Sequence, residues 1–416
     1  MSIANQGRPL RCLMMGYNGT GNTGSDIRLL TAIDDVRQAF GPDTQITVTT
    51  IDRQRTNAML PANSGIEVVE FSFAPHRFMP FMWRLAKRHD VTLLVEGSTF
   101  KQNWSPWLLQ AYVWTAFCTR WHRKHCIAYA VDVGELAGLQ AIWTRNEINR
   151  MALVITRTEI ARQRLIELGV TRPVIATTDT AFRFVQEPKR QQSARRVVGI
   201  APIEFFHWPV RFKLWCRPEE RFRWPFAFSW DAERRALSEA MVERFVQLAR
   251  HALQQHDVDL QLIAMEDLDT PVCRKILERL GDAAHSRVSL MLSEHIRPAD
   301  MVANLRGLDA LVTSRYHACV LSMAGAVPQM AISHDERLKS IYTEMGLDQD
   351  YLLDYRQPDL GEQLPKVFDA LMGHSLELSE LIQRKHETDF VLRCAQNPRE
   401  LRDWGAKHFD VVATSD

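Results

Sequence analysis

Short apolar runs alternate with amphipathic stretches along most of the chain, and the pattern occurs twice. In the first half the strand-like runs are Arg11–Gly16, Gln45–Ile51, Ile66–Phe71, Val91–Val95, Cys126–Val131, Leu153–Thr156 and Val174–Ala176. Helix-like segments fall between most of them: Ser25–Phe40, Arg77–Arg88, Trp107–Trp121 and Glu159–Leu168, the last followed by Gly169 as a stop. Apolar runs too uniform to be half-exposed, separated by helices, predict a parallel sheet with crossover helices. A Gln- and Arg-rich stretch, Gln186–Arg196, reads as a linker.

The pattern then restarts. Strand-like runs are Val197–Ala201, Leu260–Met265, Val288–Leu292, Ala310–Thr313 and Gln329–Ile332. Helix-like segments are Ala232–Gln255, Val272–Leu280, Pro298–Leu305, His317–Ala324 and Glu336–Met345, and the tail Gln363–Asp410 is mostly helical in pattern. The expectation is an α/β protein of two Rossmann-like domains, residues 1–190 and 191–416 with the helical tail, facing each other across a cleft. Ligands of such sheets bind beyond the carboxyl ends of the strands, so both halves should send loops to the cleft. One segment, Phe205–Trp230, breaks the alternation. It interleaves Trp208, Trp215, Trp224 and Trp230 with Arg211, Lys213, Arg217, Arg221 and Arg223. Stacking on a sugar, contact with an anionic membrane surface and simple capping of the domain all remain open for it.

Composition narrows the class. At 416 residues, 46% hydrophobic and 24% charged, the chain is a globular protein able to bury two cores. A formal net charge of +1 gives no basis for nucleic-acid binding. The cations are mostly arginine, which suits two-pronged grip of carboxylates and phosphates. No apolar run reaches the roughly 20 residues of a membrane span, and residues 1–10 do not read as a signal segment. The seven scattered cysteines read as reduced thiols, so a cytoplasmic location is expected.

Candidate chemistry collects at strand ends. Gly19-Thr-Gly21-Asn22-Thr-Gly24-Ser25 follows the first strand and opens a helix, where backbone amides and the helix N-terminus suit an anionic group. A tight turn requiring positive φ is the equal alternative, and the G-x-G-x-x-G match lacks a ribose-binding acid at the usual distance. Glu96-Gly97-Ser98 ends the fourth apolar run, and Glu96 is either an orienter of an acceptor hydroxyl or a partnered structural carboxylate. Arg157, where another strand ends, suits a carboxylate or phosphate, or else pairs with an acid such as Glu159. The sharpest group is Ser314-Arg315-Tyr316-His317, which brings a hydroxyl, a guanidinium and an imidazole to one strand end. His317 is the strongest general acid/base candidate among the 14 histidines. Asp335 and Arg337 should approach from the same edge. The cluster Cys118, His122, His125, Cys126 fits no standard zinc spacing, so no metal is expected.

In this order, the motifs resemble those of the polysaccharide pyruvyl transferase family. The glycine turn matches that family's GxGNxGD pattern except that Ser25 stands in place of the acid, and the second turn is reduced to Glu96-Gly97-Ser98. Arg157 with Glu159 and Leu168-Gly169, then Thr178-Asp179-Thr180-Ala181-Phe182, follow in family order. Ser314-Arg315-Tyr316-His317-Ala318 with Gly325-Ala326-Val327-Pro328 completes the set. The resemblance, over about residues 11–350, implies a fold like the two-domain (GT-B-type) glycosyltransferases. It also implies phosphoenolpyruvate as donor in the cleft without a further cofactor, and a saccharide acceptor, lipid-linked or free. Arg315 and His317 would be catalytic. Arg157, Ser314, Gly21, Asn22, Gly24, Glu96, Gly97, Ser98, Asp335 and Arg337 would bind substrate. A nucleotide-sugar glycosyltransferase of the same architecture and a non-catalytic binding protein are the competing expectations; the oligomeric state is left open.

Overall fold

The computed structural model describes residues 8–72, 74–102, 105–281 and 286–409. The extreme N-terminal residues and Asp410, to which the sequence expectations extended, lie outside them. The first half builds a seven-stranded sheet from β1 (Arg11–Asn18), β2 (Gln45–Thr50), β3 (Glu67–Glu70), β4 (Val91–Leu94), β5 (His125–Val131), β6 (Leu153–Thr156) and β7 (Ile175–Ala176). All its pairings are parallel, in the order β3-β2-β1-β4-β5-β6-β7. The residues of β4 are all buried, as a strand covered on both faces requires.

The second half begins with β8 (Arg196–Ala201). Its next three strands are short: β9 (Arg211–Phe212), β10 (Arg221–Arg223) and β11 (Phe226–Ala227). These three form a separate antiparallel sheet inside the segment that broke the alternation. The main sheet continues with β12 (Val258–Ala264), β13 (Val288–Leu292), β14 (Ala310–Thr313), β15 (Gln329–Ser333) and β16 (Leu352–Asp354). It is again wholly parallel, in the order β13-β12-β8-β14-β15-β16.

Both sheets therefore reverse direction beside their first strand, between β1 and β4 and between β8 and β14. Those switch points are where an open α/β sheet leaves a crevice at its carboxyl edge. The two edges face each other: the Thr23 amide donates to the Met265 carbonyl at 2.9 Å, and Arg55 pairs with Asp267 (Nη2–Oδ1 2.9 Å). The last helix, Gln396–His408, returns to the first half and packs on the helix Thr23–Phe40. Trp404 meets Phe40 edge-on, with ring centres 6.2 Å apart. Gly405 permits this contact, because a Cβ there would stand 2.7 Å from the Phe40 ring.

Candidate active site

The turn after β1 is shaped by close approach. Gly19 and Gly21 have φ of +79° and +72°, so part of its glycine content answers to backbone conformation. Asn22 caps the helix Thr23–Phe40, its Oδ1 accepting from the Ser25 amide at 3.2 Å, and its Nδ2 donates to Glu266 across the cleft at 3.1 Å. Gly24 has a different reason. A Cβ at this position would lie 2.0 Å from Nδ1 of His317, so only glycine lets the first domain's helix reach the second domain's histidine.

Behind the turn, four neighbouring strand ends of the first sheet hold a buried ionic lattice. Arg157, just past β6, bonds Asp179 after β7 (Nη1–Oδ2 2.8 Å) and Asp132 after β5 (Nη2–Oδ2 3.0 Å). Lys101 reaches Asp132 at 2.7 Å, and Arg28 lies 3.2 Å from Asp179. Gly97, after β4, leaves room for the guanidinium groups; a Cβ there would be 2.2 Å from Nη1 of Arg28 and 2.7 Å from Nη1 of Arg157. Burial works against ionising both aspartates. Lys101 and Arg157 outweigh it at Asp132, and Arg28, His317 and Arg157 outweigh it at Asp179, so both lie well below the usual carboxylate range.

The second half contributes the groups that face the opening. Arg315 immediately precedes the helix Tyr316–Ser322, and its side chain is held by Glu266 (3.0 Å) and Asp269. His317 stands 3.6 Å from Asp179, just beyond hydrogen-bond reach. Burial lowers its pKa; Asp179 opposes the shift, and Arg157 and Arg28 add to it. Two guanidinium groups stand over the Tyr316 ring, Arg157 at 5.0 Å and Arg337 at 5.7 Å from its centre. The His334 side chain, 7% exposed, stands beside them, stacked on Phe205 at 4.7 Å, and neither of its ring nitrogens has a hydrogen-bond partner.

Of the residues expected from sequence, Asn22, Glu96, Gly97, Ser98, Arg157, Arg315, His317 and Arg337 line one cleft. Glu96 accepts from the Tyr17 and Ser98 amides, both at 3.3 Å, so it is a partnered carboxylate on the cleft wall. Arg157 is also on the wall, but its terminal nitrogens are taken by aspartates. Gly24 acts through its contact with His317. Three expected residues stand elsewhere. Ser314, the residue just past β14, is buried, and its amide donates to the Ala201 carbonyl at 2.9 Å. Asp335 caps the helix Glu336–Met345 and pairs with Arg337, lining a neighbouring cavity with Lys101 and Asp132. Gly21 opens onto a third cavity with Asp26 and Arg55. Ser25 faces the cleft, while Asp26, next in sequence, is buried on the far side, where desolvation pushes its carboxyl up to about 7.

Sequence reading missed Arg28, Asp132, Asp179, Glu266 and Asp269 as site residues. Asp179 was within a family-like motif, and Glu266 and Asp269 follow an apolar run, but nothing local tells which carboxylates meet which arginines. It also left open the role of Trp208, Phe222, Arg223 and Phe226, which close one side of the cleft. Among the described residues one group could hold a metal ion: His251 and His256 at the end of the helix Ala232–Gln255, and Asp369 on the helix Leu360–Gly373; none of the three lines the cleft. No described helix is long and apolar enough to cross a membrane.

Solved structures share this architecture at low identity. A candidate UDP-N-acetylglucosamine 2-epimerase from Listeria monocytogenes superimposes with TM-score 0.60 at 14% identity, covering 94% of each chain. UDP-GlcNAc 2-epimerase from Neisseria meningitidis gives 0.57 at 8%, covering 96% of this chain and 100% of that one. A glycosyltransferase from Rickettsia africae gives 0.56 at 9%, covering 96% and 99%. At such identities the likeness establishes the fold alone, that of the GT-B glycosyltransferases and epimerases. No curated protein matches the chain by sequence. The sequence model of polysaccharide pyruvyl transferases, however, matches residues 22–336, from the cap of the first helix to the far edge of the cleft, and the chain belongs to this family of transferases.

Proposed function

We propose that the cleft binds phosphoenolpyruvate and transfers its pyruvyl unit to hydroxyls of a saccharide during polysaccharide synthesis. The observation that carries this reading is the placement of His317 among four cleft-lining arginines, Arg157, Arg223, Arg315 and Arg337, with two lining carboxylates, Glu96 and Glu266. A small donor carrying both a carboxylate and a phosphate suits such a wall. Arg315, Arg337 and Arg223 hold these anionic groups. His317, its pKa lowered by burial, is neutral near pH 7 and free to take a proton.

The reaction then balances within the cleft. His317 removes the proton of the first acceptor hydroxyl as its oxygen bonds to C2 of the enol, and the proton passes to C3, making it a methyl group. The C2–O bond to phosphate breaks, and the arginines stabilise the departing charge. A second hydroxyl closes the ketal on C2, and its proton leaves with inorganic phosphate. Seven unpaired cysteines go with a reducing compartment and support a cytoplasmic site of action.

Thermal unfolding with phosphoenolpyruvate, uridine diphosphate or guanosine diphosphate tests the donor, for wild type and Arg315→Lys. The lysine keeps a cation for Glu266 and Asp269 but loses the two-pronged donor. Stabilisation by phosphoenolpyruvate alone, weakened in the variant, is expected. Stabilisation by a nucleoside diphosphate and none by phosphoenolpyruvate would replace this reading with a nucleotide-sugar glycosyltransferase.

A further inference from the structure

The insert that carries β9, β10 and β11 has two unlike sides. Its inner side supplies Trp208, Phe222, Arg223 and Phe226 to the cleft wall. Its outer side leaves large apolar groups in solvent: Phe212 is 63% exposed, Leu214 46%, Trp215 85% and Trp224 60%. Among the described residues, two of the three exposed tryptophans and the one exposed phenylalanine belong to this insert, so the exposure is concentrated rather than scattered. These groups are also brought together. The Lys213 amide donates to the Pro225 carbonyl at 2.8 Å, which joins the end of β9, with Leu214 and Trp215 following it, to the turn that carries Trp224.

Charge surrounds this apolar cluster with one dominant sign. Arg211, Lys213, Arg217 and Arg221 are exposed around it, against Glu219 and Glu220. Lys213 pairs with Glu220 at 2.8 Å and Arg217 lies 4.0 Å from Glu219, and residues 205–230 still carry five cations and two acids. Tryptophan rings beside arginine and lysine match the interfacial zone of an anionic bilayer, where the ring sits at headgroup depth and the cation meets lipid phosphate. A purely apolar partner would offer nothing to the excess of positive charge that remains.

We propose that this outer face docks peripherally on an anionic lipid surface, so that the saccharide acceptor is presented to the cleft while attached to a lipid. The second clause rests on the cleft being a pyruvyl transfer site; the docking itself does not. The same insert forms both the cleft wall and the docking face, so a bound protein holds its cleft close to the headgroups.

Co-sedimentation of the full chain with phosphatidylcholine vesicles, with and without phosphatidylglycerol, tests this directly. Binding is expected only with the anionic lipid and should fall as salt rises. Trp215→Ser combined with Trp224→Ser should weaken it about tenfold or more, and Arg217→Glu with Arg221→Glu should remove the preference for anionic lipid. All four positions are at the surface, so stabilisation by phosphoenolpyruvate should be unchanged in both variants. Wild type that ignores anionic vesicles, or tryptophan variants that bind as well as wild type, overturns the docking proposal whatever phosphoenolpyruvate does. A wild-type dimer that becomes a monomer on the tryptophan changes, without vesicle binding, makes the face a self-interface instead and also overturns it. Vesicle binding without any phosphoenolpyruvate effect leaves the docking standing and removes the donor assignment.

Discussion

The two domains share one strand order but connect their first strand to its helix in opposite ways. After β1 the chain spends only residues 19–22 before the helix begins, and that shortness lets Gly24 touch His317 and the Thr23 amide bond to Met265. After β8 it spends residues 202–231, enough for a second small sheet that walls the cleft. The contrast extends to the charged groups. In the first domain Arg157 and Asp179 have side-chain exposures of 1% and 0%, whereas Arg315, Arg337 and His317 of the second retain 12%, 13% and 14%. One domain supplies a closed ionic foundation and the other presents the groups a substrate can reach. The same topology thus encloses its charged groups in one domain and leaves them part-exposed in the other.

The comparison predicts that equivalent-looking substitutions fail differently. His317→Asn should lower the rate of phosphate release from phosphoenolpyruvate, with acceptor present, by about 10³-fold. Its unfolding midpoint should hardly move, since Asp179 keeps Arg157 and Arg28 as partners. Arg157→Met should instead strip Asp132 and Asp179 of a shared buried cation and cost about 3–5 kcal/mol in denaturant unfolding. If the methionine variant is as stable as wild type, the lattice is not what supports the first domain. If the asparagine variant keeps full turnover, His317 is not the proton carrier.

How much of this could be read from the chain follows from what is local. Apolar periodicity located nearly every strand of both parallel sheets, because a buried strand declares itself in a few consecutive residues. It missed β16 and the three short strands of the insert, which are too brief to establish a period. Arg315 and His317 were legible because they sit beside a strand end in a recognisable motif. Gly24 was legible as a glycine but not for its reason, which depends on a histidine almost three hundred positions away. Asp132 and Asp179 were the least legible, since each is an ordinary acid until folding aligns β5, β6 and β7 and their ends converge on Arg157. Asp335 and Ser314 are strand-end positions whose placement the motif could not give: the Asp335 side chain caps the next helix, and Ser314 is buried with its amide bonded to Ala201.

A smaller effect separates the two domains by pH. Burial pushes the His334 imidazole down to about 4, with Asp335 opposing and Arg337, Arg315 and Lys101 adding to the shift. Its unfolded value is about 6.5. The folded pKa is depressed, so its contribution is fully present above about pH 6.5 and is lost as pH falls through about 4, on the order of 3 kcal/mol in all. Asp26 of the first domain runs the other way: raised to about 7 by burial, it contributes fully below its unfolded value near 3.9 and loses that contribution as pH rises through about 7. The two partly cancel in wild type, so the informative quantity is a difference. His334→Leu leaves no unpaired ring nitrogen and should gain stability relative to wild type as pH drops from 6.5 to 4. Parallel stability curves for the two proteins would mean that His334 does not titrate in this window.

The smallest effects come from the connections themselves, and they set the short turn directly against the long insert. Gly24→Ala places a methyl group where the His317 ring stands, and the helix backbone cannot yield without breaking the Thr23–Met265 and Asn22–Glu266 links. The ring must therefore move, and a displacement of that kind is expected to cost about 10²-fold in turnover. Phe222→Ala removes apolar wall without touching the charged groups, and its neighbours Trp208 and Phe228 remain to pack on each other. Its loss should be roughly tenfold and appear in KM for the acceptor rather than in kcat. Equal losses in kcat from both changes would mean that the insert orders the reacting groups as tightly as the glycine turn does, and the division between a positioning turn and a covering wall would have to be abandoned.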